Sequence, residues 1–137
     1  MSLKDAMTGI LQEYKKLEKA AGSRGQRKFR MTRDDVKDAV FLTEYPDRHF
    51  GTVISLGPIG FCKNCQQAVD ELDRILRPGG KIAVAAWLKQ GRDFKDGQYY
   101  FSYREFINAL RRFKLITTRT IYHDGDRELR GFIGKKY

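Results

Sequence analysis

Two cysteines in 137 residues are too few for a disulfide framework, which points to a reducing, cytoplasmic setting. No apolar run comes near the roughly 18 residues that a membrane span needs, and the N-terminus has no signal-type apolar stretch, so neither a span nor secretion is expected. No serine sits in a G-x-S-x-G elbow and no G-x-x-x-x-G-K-S/T loop is present, which leaves the serine-hydrolase and P-loop readings without support. Acidic residues are also short: 17 Asp and Glu stand against 27 Lys and Arg, a formal net charge of +10.

What is present is enough for one folded domain. Apolar residues make up 41% of the chain and aromatics 12%, so sufficient surface can be buried to offset chain entropy, but the length suits one core and not two. The positive charge is concentrated. Lys15, Lys16, Lys19, Arg24, Arg27, Lys28, Arg30 and Arg33 crowd one stretch, and a second basic stretch runs from 111 to 137. Both could touch phosphates, with Lys15, Lys19, Arg24 and Arg27 as candidate nucleic-acid contacts; the plain alternative is a solvated basic surface.

Spacing of three and four among Leu3, Ala6, Met7, Ile10, Leu11, Tyr14, Leu17 and Ala21 predicts an amphipathic helix over 2–21, opened by a Ser2/Asp5 capping box. Residues 28–32 alternate like a short strand. Residues 33–50 read as a connection, with a turn at Tyr45-Pro46-Asp47. Thr52 to Leu56 and Lys81 to Leu88 are apolar runs of the kind buried on both faces of a parallel sheet. The helix between them, 64–76, has an Asn64/Gln67 cap and is stopped by Arg77-Pro78-Gly79-Gly80, and the three elements form a right-handed βαβ unit. A polar and aromatic loop over 90–100 follows, then a helix over 102–113 with a Ser102/Glu105 capping box. A terminal hairpin of 115–122 and 128–134 turns at His123-Asp124-Gly125-Asp126.

The stretch HFGTVISLGPIGFCKNCQQAVDELDRILRPGGKIAVAAW, residues 49–87, resembles the middle of class I S-adenosylmethionine-dependent methyltransferases. In that family a strand of type F-D-x-V-x-S leads to a helix ending in L-x-P-G-G and a strand of type K-x-x-V. Here these are Phe50 to Ser55, Leu76 to Gly80 and Lys81 to Val84, with Gly51 where the family commonly has Asp. The resemblance implies an α/β fold: a Rossmann-like three-layer sandwich, a truncated class I methyltransferase-type sheet with a terminal antiparallel β-hairpin. Residues 1–137 would be a single domain lacking the first β-α-β cofactor-binding unit, with 2–21 and 28–32 similar to the family's second helix and third strand.

S-adenosylmethionine is the implied cofactor. Asp35 and Val36, near the family's acidic residue and its apolar neighbour, and Ser55, Leu56 and Gly57, at the end of the fourth strand, are the positions that could line its pocket. No G-x-G-x-G motif is present, so an isolated chain is expected to bind it weakly or not at all. Phe61, Trp87, Tyr99 and Tyr100 could stack on a substrate, or simply form the rim of the core. The competing reading is a non-catalytic binding or assembly module on the same truncated fold. Cys62-Lys63-Asn64-Cys65 is a lone C-x-x-C at a helix start: chance spacing, a helix-activated thiol, or half of a metal site that lacks two ligands, and no metal is expected. In the family's sheet the first strand flanks the fourth. Without it, one side of Thr52 to Leu56 is left open, so either residues 28–32 move in beside it or a homodimer or a partner chain covers that edge; the alternation of Lys28-Phe29-Arg30-Met31, which suits an exposed strand, favours the second.

Overall fold

A computed structural model describes residues 3–21, 27–32, 35 and 45–137. In chain order the elements are α1 (Leu3–Ala21), β1 (Lys28–Arg30), β2 (Phe50–Leu56), a 3-10 turn (Pro58–Phe61), α2 (Cys65–Ile75) and β3 (Leu76–Lys89). There follow β4 (Asp93–Lys95), β5 (Gln98–Tyr100), α3 (Tyr103–Leu110), β6 (Lys114–Asp124) and β7 (Arg127–Lys135). The main sheet runs β1-β2-β3-β7-β6, parallel through β1, β2 and β3 and antiparallel through β7 and β6. Helices α2 and α3 cover one face and α1 the other, the α/β sandwich expected.

Local signals account for the helix ends. Asn64 accepts a hydrogen bond from Gln67 N at 3.2 Å, and Ser102 and Glu105 form a complete capping box. The Ser2/Asp5 cap lies outside the described residues. Helix α2 stops at Ile75, and β3 begins at Leu76 opposite Phe50. Arg77-Pro78-Gly79-Gly80 then bulges out before Lys81 resumes the pairing opposite Thr52, with Gly79 at φ +79° donating its N–H to Lys136 O and Gly80 O accepting from Lys136 N. Gly80 is required: a Cβ there would lie 2.9 Å from Gly51 O and 2.8 Å from Arg77 O. Helix α3 ends at Leu110, three residues earlier than its periodicity suggests. The expected loop over 90–100 contains a two-stranded hairpin, β4 with β5, turning at Asp96-Gly97 with φ of 56° and 76°. Both central residues at positive φ make the kind of turn whose twist matches its strands.

Of the two ways to cover the β2 edge, the chain takes the first, by its own residues 28–32. Strand β1 pairs in parallel with β2, Lys28 opposite Thr52, Phe29 opposite Val53 and Arg30 opposite Ile54. Arg27 O accepts from Gly51 N and Thr52 N, and Met31 N donates to Ile54 O at 2.7 Å. A fully buried strand cannot leave its N–H and C=O groups unpaired, and residues 27–31 satisfy them. Lys28–Arg30 therefore sits where the resemblance places the family's first strand, not its third. Alternation fixes its facing: Phe29 and Met31 enter the core beneath α2 and α3, while Lys28 and Arg30 turn to the other face, where Glu18 of α1 pairs with both.

Candidate functional site

Ligands of open α/β sheets bind at the carboxyl ends of the strands. Here that edge comprises Met31 and Asp35 after β1, Leu56-Gly57 after β2, Lys89 and the β4–β5 hairpin after β3, and the turn between β6 and β7. Ser55 is fully buried, and its hydroxyl donates to Met31 Sδ at 3.4 Å. Leu56 packs beneath α1. Gly57 leaves the strand at φ +111°, donating its N–H to Ala85 O, with the Tyr14 hydroxyl 3.6 Å from where a Cβ would stand. Burial pushes the Tyr14 phenol up to about 12, so it remains a neutral hydroxyl. Sequence reasoning read Tyr14 only as part of a helix stripe; nothing in the spacing says that its hydroxyl reaches the end of β2. Asp35 Oδ2 accepts from Thr32 N at 2.7 Å and Thr32 Oγ1 at 3.0 Å, closing a local turn. Val36 lies outside the described residues.

The four aromatics do not form one wall. Phe61 packs on the core beneath α2 and α3, and Tyr99 lies against Phe94 with ring centroids 4.5 Å apart. Trp87 faces α1, edge-on to Tyr122, while Tyr100 is buried at the far side of Lys89. Arg127 joins the last two: its guanidinium lies 4.8 Å from the Trp87 ring centre and donates to the Tyr100 hydroxyl at 3.2 Å. Around it Lys89, Lys95, Asp96, Tyr100, Asp124, Gly125 and Asp126 line a cleft of about 390 Å³. Lys89 Nζ donates to Asp93 at 2.7 Å, and that bond holds the ammonium above its usual range and the Asp93 carboxyl below its own. Lys89 is thus a fixed cation and hydrogen-bond donor, not a proton acceptor. Arg127 and Lys89 were missed from sequence because they meet only through the β3–β7 register, Lys89 opposite Arg127.

Both cysteines are buried. Burial raises the Cys62 thiol, and burial, then Glu105, pushes Cys65 up to about 12. Desolvation here outweighs the pull of the helix start, so the C-x-x-C is core packing. Of the expected nucleic-acid contacts, Lys15 and Lys19 are exposed one turn apart on α1. Arg27 is exposed with its guanidinium 2.9 Å from His49 Nε2, and Arg24 lies outside the described residues.

Residues 5–84, more than half of the chain, match the family model described as a methyltransferase domain. The chain belongs to this methyltransferase family. Solved structures share its fold at low identity. The cyclase SpnF is 11% identical with a TM-score of 0.71, covering 91% of this chain and 80% of SpnF. A SAM-dependent methyltransferase of Thermotoga maritima is 17% identical with a TM-score of 0.62, over 93% and 89% of the two chains. Geranyl diphosphate C-methyltransferase of Streptomyces coelicolor A3(2), solved with S-adenosyl-L-homocysteine, is 12% identical with a TM-score of 0.59, over 69% and 49%. Uncharacterized proteins of Mycobacterium tuberculosis and Mycobacterium bovis are 45% identical over 47 residues, 34% of this methyltransferase domain but only 17% of their own length. Among the described residues no helix is long and apolar enough to cross a membrane. Among the described residues proposed for the cofactor the fit is poor: the Ser55 hydroxyl and one Asp35 carboxylate oxygen are engaged within the protein and Leu56 is buried in the core, which leaves Gly57, beside the Tyr14 hydroxyl, to present backbone at the strand end.

Proposed function

We propose that the chain is a domain of the S-adenosylmethionine-dependent methyltransferase type which, on its own, binds that cofactor weakly. The observation that carries the reading is the end of β2. Ser55 is spent on Met31 and Leu56 on the core, which leaves the Gly57 turn and the Tyr14 hydroxyl as the open groups there. With neither a Gly-rich turn nor a free ribose-binding acid among the described residues, affinity falls to the high micromolar range or beyond, on the order of −5 kcal/mol or weaker. The charged cleft around Arg127 is the acceptor side of this reading. Its cations would orient a polar acceptor, and methyl transfer asks mainly for alignment of nucleophile and methyl group. Calorimetric titration of the full chain with S-adenosylmethionine and S-adenosylhomocysteine tests the reading. Weak binding that weakens further in Tyr14→Phe is expected; saturable binding near one micromolar would overturn it.

A further inference from the structure

Residues opposite one another on adjacent strands project to the same face of a sheet, so the register can be followed as rows. One row on the α1 face runs Lys28, Thr52, Lys81, Lys135, Lys114 across β1, β2, β3, β7 and β6. Four of its five members are lysines. At about 4.8 Å between strands, Lys81, Lys135 and Lys114 stand side by side within about 10 Å, with Lys28 about 10 Å to the other side. Lys28, Lys114 and Lys135 are exposed and Lys81 is half-buried. Glu18 pairs with Lys28, but no described carboxylate lies within ion-pair distance of Lys81, Lys114 or Lys135. Like charges set directly opposite each other destabilise a sheet, and here two such contacts follow in succession without an intervening acid.

The sheet thereby joins the two basic stretches of the sequence, which lie some eighty residues apart. We propose that this row is a docking track for the sugar–phosphate backbone of a nucleic acid. Its form favours that partner. Lys81, Lys135 and Lys114 set three cations side by side across about 10 Å with no described carboxylate between them, and lysines are point donors that hold phosphates without reading bases. Helix α1 packs on the same face and Thr52 is buried, so the accessible part of the row is Lys81, Lys135 and Lys114, half-buried in the first case and exposed in the other two. The row lies eight residues of β3, about 26 Å, from Lys89. It is separate from the candidate site and does not depend on the methyltransferase reading.

Fluorescence anisotropy of the full chain with a labelled mixed-sequence oligonucleotide, single-stranded and duplex, over rising salt is the test. Binding at low salt is expected, with a steep salt slope. The triple change Lys81→Gln, Lys114→Gln, Lys135→Gln is expected to lower that slope by about 2 to 3 and to cost on the order of 100-fold in affinity. It should leave thermal stability equal or higher, because repulsion is removed. Three results would overturn the proposal: no binding at low salt; a slope flattened instead by Lys15→Gln with Lys19→Gln on the outer side of α1; or binding to phosphatidylserine vesicles with none to either oligonucleotide.

Discussion

On the face beneath α2 and α3 the described core holds twenty-two buried residues, six of them phenylalanines, while beneath α1 it holds eight and no phenylalanine, with Tyr14, Trp87 and Tyr122 half-buried at its rim. Both faces belong to the same five strands. The dense face is continuous with the βαβ crossover and leaves no room for charge; there even the cysteines serve as small apolar residues. The thin face, covered by one helix, carries Glu13 paired with Arg119, Glu18 paired with Lys28 and Arg30, and the lysine row. The larger described core lies on one side of the sheet, and the lysine row on the other.

Urea denaturation can break that comparison. Phe106→Ala, beneath α3 and fully buried, should cost about 3–5 kcal/mol, against about 2–3 kcal/mol for Leu17→Ala on α1. Equal losses would mean that the faces contribute alike. A sharper pair lies on one strand. A Cβ at Gly134 would meet Phe132 Cε1 at 2.7 Å and Phe113 Cβ at 2.9 Å, whereas one at Gly131 meets the side-chain ends of Leu17 at 2.8 Å and Ile121 at 3.0 Å. Gly134→Ala should lower stability by about 1–3 kcal/mol and Gly131→Ala by less than about 1 kcal/mol, since methyl ends can move and a packed ring cannot.

Two titrations give smaller effects of opposite sign. The Cys65 thiol stays neutral in the fold while the unfolded chain ionises above its ordinary thiol range, so stability should fall as pH rises past that range, by roughly 1 kcal/mol near pH 9.5. Native Cys65 should react with iodoacetamide at least about a hundred-fold more slowly than denatured protein. On the thin face, hydrogen bonds from Arg30 and then Lys28 hold the Glu18 carboxyl below its usual range. Its contribution is complete above the ordinary carboxylate range and is lost as pH falls through the lowered value. Glu18→Gln should cost about 0.5 kcal/mol at neutral pH and remove that acid-side dependence, read by thermal melts across pH.

Features decided by neighbours in sequence were legible in it: the Ser102/Glu105 box, the Asn64 cap, the halt of α2 before Pro78, and the two buried strands. Asp96-Gly97 carried a hairpin signal that the surrounding polar residues obscured. The seat of β1, the bond from Ser55 to Met31 and the meeting of Arg127 with Lys89 depend on segments 24 to 38 residues apart, and periodicity carries no information about which strands become neighbours. The lysine row was out of reach for the same reason. Each lysine looks like ordinary surface until register aligns it with the next.

Strand β7 is late in the chain yet sits inside the sheet, between β3 and β6. Some 37 residues separate the end of β3 from the start of β7, about 2–7 s of ribosomal elongation. For that interval the nascent chain exposes one flank of Ala83–Leu88, an apolar strand with a free row of amides and carbonyls, until the last hairpin is released and slots in. Protection of this strand during synthesis therefore falls to chaperones or to the speed of translation, and a ribosome stalled between Lys89 and Arg127 would present an aggregation-prone edge that the finished protein never shows.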